Sequence, residues 1–266
     1  MLFGEIVYGP IHSRRLGVSL GINLMPTDAK LCTFDCIYCE CGFNGSVSHP
    51  QLPTRVEVAD ALETKLQSLQ AEAIRPDVIT FSGNGEPTLH PEFPGIIEDT
   101  CRLRDTYCQT AKVSVLTNST QLAREDVVKA LRMCDNIILK LDSAVTRTMR
   151  LIDQPVNADL TSERIIELLE QFEGHFTLQT CFLRGEVAVG NPCREESYLL
   201  GKVDNTTDEE LSAWYSAVRR LRPEHVMIYV IDRATPVKTL EKIGPEQMHA
   251  IARPLQEEGF DVSISC

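Results

Sequence analysis

"LCTFDCIYCECG", residues 31–42, places cysteines at positions 32, 36, 39 and 41 of a 266-residue chain that has ten in all. Thiols at that density in one stretch have three readings: a disulfide knot, a zinc site and an iron–sulfur cluster. Each implies a different fold and a different chemistry.

The compartment bears on the first. Arg14-Arg15 ahead of apolar residues imitates a twin-arginine export signal, but Ser19, Asn23 and Pro26 interrupt the apolar stretch and no small-residue cleavage site follows. Leu16, Val18, Leu20, Ile22 and Leu24 alternate with smaller or polar residues instead, as in a strand over about 16–25. No apolar run approaches the roughly 20 residues that cross a bilayer. The expectation is a cytoplasmic protein without a membrane partner. In a reducing compartment a disulfide knot is disfavoured. Cys101, Cys108, Cys134, Cys181, Cys193 and Cys266 are scattered without pairing, as small buried apolar residues are. A formal charge of −12 argues against a broad nucleic-acid surface, which is normally basic, without excluding a local basic groove.

Beyond residue 50, short β-branched runs alternate with amphipathic stretches. Strands are expected at 78–81, 113–117, 137–142, 175–183, 225–231 and 260–265. Helices are expected at 55–74, 94–106, 122–133, 161–172, 207–221 and 245–258. Thr207 with Glu210 forms a capping box, and Pro245 stands where a first helical residue belongs. The β/α repetition predicts an α/β protein with a mostly parallel sheet, in a single domain over 1–266. The longest irregular segment, 184–206, is expected to be a functional loop or lid, carrying Arg184, Glu186, Cys193, Arg194, Glu195 and Glu196.

In parallel α/β folds, chemistry gathers past the carboxyl ends of the strands. Here those ends carry the cysteine loop (32–41), "SGNGEPTL" (82–89), "TNST" (117–120), "KLDS" (140–143), "LRGE" (183–186) and "DRATP" (232–236). One mouth lined by these loops is expected.

Zinc wants four ligands, and Cys36/Cys39 is the chain's one Cys-x-x-Cys pair. There is no second pair, but Cys32, Cys39 and Cys41 with His49 could complete a site, so zinc stays open. Three cysteines spaced x3 and x2 suit three corners of a [4Fe–4S] cube with one iron left for an exogenous ligand, since an electron-transfer cluster is normally closed by a fourth cysteine. "GNGEP" fails as a dinucleotide loop, because Thr88 stands where the third glycine belongs and Pro87 interrupts the helix entry. It remains either an ordinary turn or a binding loop in which Gly83 and Gly85 permit close backbone approach to a ligand. Carbonyls there would accept from an ammonium group.

With Cys32-x3-Cys36-x2-Cys39, Phe34 inside it, Tyr38 before the third cysteine and the Gly83–Pro87 loop one strand later, the sequence resembles the radical S-adenosylmethionine (SAM) superfamily. "GPIHSRRLGVSLGIN", "FDCIYCECG", "SGNGEPTLHPEF" and "IDRATP" are similar, nearly end to end, to a branch of iron–sulfur oxidoreductases related to the wyosine-base-forming tRNA enzymes. The resemblance implies a partial (β/α)6 barrel and a [4Fe–4S] cluster whose open iron chelates SAM. Reductive cleavage would then yield methionine and a 5′-deoxyadenosyl radical that abstracts a substrate hydrogen. The sequence departs from those relatives in showing neither a flavodoxin-like domain nor a cysteine-rich carboxyl-terminal extension. A flavodoxin or ferredoxin partner is therefore expected to deliver the electron.

By position, the resemblance makes Cys32, Cys36 and Cys39 the cluster ligands and sets Tyr38 near the adenine. Gly83, Asn84, Gly85 and Glu86 would face the methionine amino group, and Asn118 the ribose. Lys140 and Asp142 share one face of a strand. They are read either as catalytic groups toward SAM or substrate, or as an internal ion pair. Arg233 is a further catalytic candidate, Gln179 and Arg184 are weaker ones, and Arg14 and Arg15 are candidates for an anionic substrate group or for an edge cap. The substrate stays open between RNA, a peptide or protein side chain and a small molecule. The alternatives are an activase that installs a glycyl radical on a partner enzyme, and a non-catalytic iron–sulfur carrier or sensor.

Overall fold

In the computed structural model the described residues are 2–13, 16–45, 50–189 and 199–266. Arg14, Arg15, His49, Cys193, Arg194, Glu195 and Glu196 lie outside them. The contacts divide the chain into two compact units, Met1–Thr33 with Asn44–Ile138, and Phe34–Phe43 with Leu139–Cys266.

In the first unit, β1 (Val7–Ser13) pairs antiparallel with β2 (Gly17–Ile22), and β3 (Val78–Phe81) and β4 (Lys112–Thr117) follow in parallel. Leu20, Ile22, Ile79, Phe81, Val113 and Val115, alternate residues along these strands, are fully buried. Three helices, α1 (Arg55–Ala71), α2 (Phe93–Tyr107) and α3 (Glu125–Leu131), return the chain. α1 starts at a capping box in which Thr54 Oγ1 accepts from Glu57 N at 3.2 Å and Glu57 Oε2 accepts from Thr54 N at 2.7 Å. It buries Val58, Leu62, Leu66 and Leu69, one helical face.

The parallel arrangement places the exits of β2, β3 and β4 at one end of this unit's sheet. From them run the start of the cysteine loop, the Ser82–Leu89 loop and the Thr117–Thr120 loop. β1 was not expected, because Gly9-Pro10 interrupts its pattern. The pairing register shifts between Tyr8 and Ile11, and a proline is tolerated at such an irregularity on an outer strand.

The strand β5 (Asn136–Lys140) begins beside β4, where Asp135 N donates to Val113 O at 3.0 Å. It leaves in the second unit, where Leu141 N donates to Gln179 O at 3.0 Å. There β6 (Thr177–Val189), β8 (His225–Val230) and β10 (Val262–Ser265) are parallel, with α5 (Ser162–Glu170) before β6, α6 (Asp208–Leu221) before β8 and α7 (Pro245–Glu257) before β10 in sequence. Trp214 of α6 stacks edge-on against Phe182 at 5.2 Å and donates to Thr180 Oγ1 at 3.0 Å.

Two features correct the sequence reading. Residues 184–206 are not irregular throughout: β6 continues to Val189 and pairs antiparallel with β7 (Leu199–Asp204), and β9 (Glu241–Lys242) adds to β6. Val187 and Val203 are buried in this unit's core with Ile37, Ile152, Cys181 and Leu183. Residues 184–189 and 199–204 are therefore paired strands rooted in the core, and 190–198 of the expected loop lie outside the described residues. Helix α4 (Thr146–Asp153) was also missed, since its eight residues give barely two turns of periodicity.

Candidate functional site

The cysteine loop is pinned on both sides of the boundary between the units. Before it, Leu31 bridges Gly85: Leu31 N donates to Asn84 O at 2.9 Å, and Glu86 N donates to Leu31 O at 3.1 Å. The Cys32 backbone is clamped by one side chain, with its N–H on Asn44 Oδ1 at 2.9 Å and its carbonyl on Asn44 Nδ2 at 3.0 Å. In the second unit, Asp35 N and Ile37 N donate to Asp153 O and Ile152 O, both at 2.9 Å. Ile37 is fully buried there. Tight turns follow, Cys39 N to Cys36 O at 3.0 Å and Gly42 N to Cys39 O at 2.9 Å. Cys36 is buried, while Cys32, Cys39 and Cys41 are half-buried.

The Gly83–Pro87 loop owes its composition to neighbouring protein. A Cβ at Gly83 would strike the Asn23 side chain, and one at Gly85 would strike the Leu31 carbonyl oxygen. Gly85 also has φ +151°, which side chains rarely adopt. Asn84 is fully buried. Its Oδ1 accepts from Phe3 N at 2.8 Å, and its Nδ2 donates to Phe3 O at 2.9 Å and Pro26 O at 2.7 Å. Glu86 is buried as well and gathers four donors. Oε1 accepts from Thr88 N (3.1 Å), Thr88 Oγ1 (2.5 Å) and Thr117 Oγ1 (2.6 Å), and Oε2 from Asn118 N (2.7 Å). Burial raises its carboxyl above the ordinary value, against the pull of those four donors toward the anion. The Glu86 side chain thus ties the exits of β3 and β4 together, while that of Asn84 ties the β3 exit to Phe3 and Pro26. Asn118 Nδ2 lies 2.8 Å from Thr33 Oγ1 and 3.5 Å from Cys32 Sγ.

In the second unit a buried polar cluster sits at the exit of β5. Lys140 Nζ pairs with Asp142 Oδ2 at 2.8 Å and, more closely, with Asp153 Oδ1. Asp142 Oδ2 also accepts from Tyr38 OH at 2.5 Å, and Asp142 Oδ1 accepts from Cys181 N at 2.9 Å. Lys140 Nζ lies 5.0 Å from the centre of the Phe34 ring and 5.6 Å from that of Tyr38, within cation–π range. Burial disfavours the Lys140 ammonium, but the two carboxylates outweigh it and hold the lysine well above its ordinary value. Burial raises the Asp153 carboxyl, and burial and then Asp142 raise the Tyr38 hydroxyl. The internal ion pair foreseen for Lys140 and Asp142 is therefore present. Asp153, the second carboxylate, was missed along with its helix.

The remaining candidates are dispersed. Gln179 is buried on β6 with Nε2 3.5 Å from Met227 Sδ. Arg184 Nη2 donates to Gln247 Oε1 at 2.7 Å and Thr206 Oγ1 at 3.1 Å. Arg233 is exposed and pairs with Glu40 at 2.7 Å. The described cysteines are thiols rather than disulfides, and the zinc alternative needs His49, outside the described residues. Among the described residues, no three His, Cys, Asp or Glu side chains form a group able to hold a metal ion. None of their helices is long and apolar enough to cross a membrane.

The family model described as "Radical SAM superfamily" matches residues 29–186, more than half of the chain. The chain belongs to the radical SAM superfamily. A UPF0026 protein of Synechocystis is 32% identical over 241 residues, 89% of this chain and 78% of that protein. A Brachyspira hyodysenteriae protein named GTPase Obg is 29% identical over 246 residues, 91% of this chain but 32% of its own length. The chain spans only 32% to 65% of the length of four of the curated relatives it matches. A solved radical SAM methyltransferase from Sphaerobacter thermophilus superposes with a TM-score of 0.64 at 14% identity, covering 92% of this chain and 65% of that one. TYW1 with a lysine–pyruvate adduct bound gives 0.61 at 14%, covering 90% and 73%. These likenesses show the fold, the α/β partial barrel of radical SAM enzymes. Membership of this superfamily implies a [4Fe–4S] cluster and SAM.

The residues present fit such a cluster. Thiols stand at Cys32, Cys36 and Cys39, the backbone of Cys32 is fixed by Asn44 and those of Asp35 and Ile37 by α4, and the Asn118 amide N–H approaches the Cys32 sulfur. Soft thiolates with N–H donors to sulfur are the donor set that iron–sulfur clusters use.

Proposed function

We propose that Cys32, Cys36 and Cys39 hold a [4Fe–4S] cluster and that the chain uses it to cleave SAM reductively and act on a substrate C–H bond. The observation that carries this reading is the Cys-x3-Cys-x2-Cys spacing inside the superfamily match over 29–186. Held there, the cluster and SAM would supply the chemistry, one-electron reductive cleavage of SAM coupled to removal of a hydrogen atom from the substrate.

The chain's own residues supply position. The Asn44 clamp and the turns at Cys39 and Gly42 fix where the thiolates emerge. Gly83, Asn84, Gly85 and Glu86 belong to the SAM site, with the Asn84 and Glu86 side chains spent on holding the loop rather than on touching the ligand. Tyr38 contributes its ring to the adenine side, because its hydroxyl is committed to Asp142. Lys140 and Asp142 serve as positioning residues for Tyr38. The electron comes from an external donor of the flavodoxin or ferredoxin class.

The experiment is anaerobic incubation of the cluster-loaded chain with dithionite and SAM, without substrate. Slow release of 5′-deoxyadenosine and methionine, absent in Cys36→Ala, is expected. A reduced cluster that leaves SAM intact would make the chain a carrier or sensor instead.

A further inference from the structure

The orientation of the Asn118 amide is fixed by chemistry. Its Oδ1 accepts from Thr120 N, a group that can only donate, at 3.1 Å, and from Thr120 Oγ1 at 2.8 Å. The two N–H bonds of Nδ2 must therefore point the other way, where Thr33 Oγ1 and Cys32 Sγ lie at 2.8 and 3.5 Å. The 3.5 Å separation is an ordinary length for a bond to sulfur, which is larger than oxygen. The rest of the residue is equally fixed. Its backbone N–H donates to buried Glu86, whose other oxygen is held by Thr88 and Thr117. On the other side, Asn44 holds the Cys32 backbone by two bonds. Neither end of the Asn118–Cys32 contact depends on the sulfur for its place. The contact is thus built into the loops at the β2 and β4 exits.

A donor aimed at a sulfur does more for an electron-rich sulfur than for an electron-poor one. Reduction of a thiolate-bound cluster adds negative charge that spreads onto the ligating sulfurs, and hydrogen bonds to those sulfurs are one of the protein's levers on reduction potential. Resting on the assignment of Cys32 as a cluster ligand, we infer that Asn118 is a positioning residue that donates an N–H to the Cys32 thiolate and raises the reduction potential of the cluster. This differs from the ribose contact expected from the sequence: the side chain that would reach a ribose has its acceptor occupied by Thr120 and its donors turned to the cysteine loop.

The test uses the full chain, reconstituted anaerobically and reduced without SAM, so that turnover plays no part. Wild-type protein carrying [15N]asparagine is expected to show a 15N hyperfine coupling in pulsed EPR of the reduced cluster. Asn118→Leu, which keeps Asn44, should lose the coupling. It should also show a lower potential, read as a weaker reduced-cluster signal at the poise that half-reduces the wild type. Asn118→Asp, of the same shape but without the donors, should lose the coupling too. No 15N coupling in the labelled wild type overturns the inference even if neither variant folds. So does a coupling and potential unchanged in Asn118→Leu. A wild-type chain that takes up no iron–sulfur cluster contradicts the cysteine assignment itself, and that result is distinguishable from a cluster that forms but ignores Asn118.

Discussion

Tyr38 and Asp142 meet across 104 residues of sequence, with the phenol oxygen 2.5 Å from Asp142 Oδ2. The same carboxylate oxygen accepts Lys140 at 2.8 Å, so a residue flanking the third cysteine is tied to the β5 exit through one buried acid. Asp142 and Asp153 are nearly fully buried, and Lys140 is the cation between them. Removing it strands two carboxylates. Lys140→Met should lower unfolding stability in urea by about 3–5 kcal/mol, as breaking a buried pair does. Adding Asp153→Asn to it should recover part of the loss. A change below about 1 kcal/mol would mean that the cluster is hydrated in solution rather than sealed.

Gly85 offers a second test, because its missing Cβ faces the residue before Cys32. Gly85→Ala combines a backbone conformation that costs about 1–3 kcal/mol with a collision against the Leu31 carbonyl. The variant should be less stable and should hold less iron after reconstitution. Gly42→Ala is the comparison: φ is +84°, but nothing lies within 4 Å of the added carbon. It should cost about 1 kcal/mol from strain and keep its iron. Equal iron content in the two variants would show that the Leu31–Gly85 bridge does not support the cysteine loop.

Much of this was legible in the sequence, for physical reasons that also explain the gaps. β3 matches its expected bounds because a strand buried on both faces is written as an unbroken run, here Val78–Phe81. The cysteine spacing is legible because the ligands are local. Asp153, by contrast, belongs to a short polar helix and acquires meaning only through Lys140, 13 residues away. Gly83 and Gly85 announced a close approach without saying what approached, and the structure answers with Asn23 and Leu31. The orientation of Asn118 was unreadable, since it depends on Thr120, Glu86 and Thr33 from three different loops. The 184–189 and 199–204 pairing was hidden by Gly185, Gly201 and the charges among its strand residues.

The link between α1 and α2 gives a pH-dependent test. Arg55 Nε donates to Asp99 Oδ2 at 2.6 Å, and this bond holds the Asp99 carboxyl below its ordinary value. A carboxyl whose folded value is depressed contributes stability that is fully present above its unfolded pKa and is lost as pH falls through the folded one. Asp99→Asn should therefore be about 0.5–1 kcal/mol less stable than the wild type at pH 7, the range of a partly exposed pair. The gap should close as pH drops below the ordinary carboxylate range. A gap that persists in acid would assign the loss to packing.

The central claim is that three cysteines, and not the fourth, hold a [4Fe–4S] cluster. Iron and acid-labile sulfide per anaerobically reconstituted chain test it most directly, measured for the wild type and for Cys32→Ala, Cys36→Ala, Cys39→Ala and Cys41→Ala. About four irons and four sulfides are expected in the wild type and in Cys41→Ala, with loss of the cluster in each of the other three. Loss of the cluster in Cys41→Ala, or its survival without any one of Cys32, Cys36 and Cys39, would contradict the assignment.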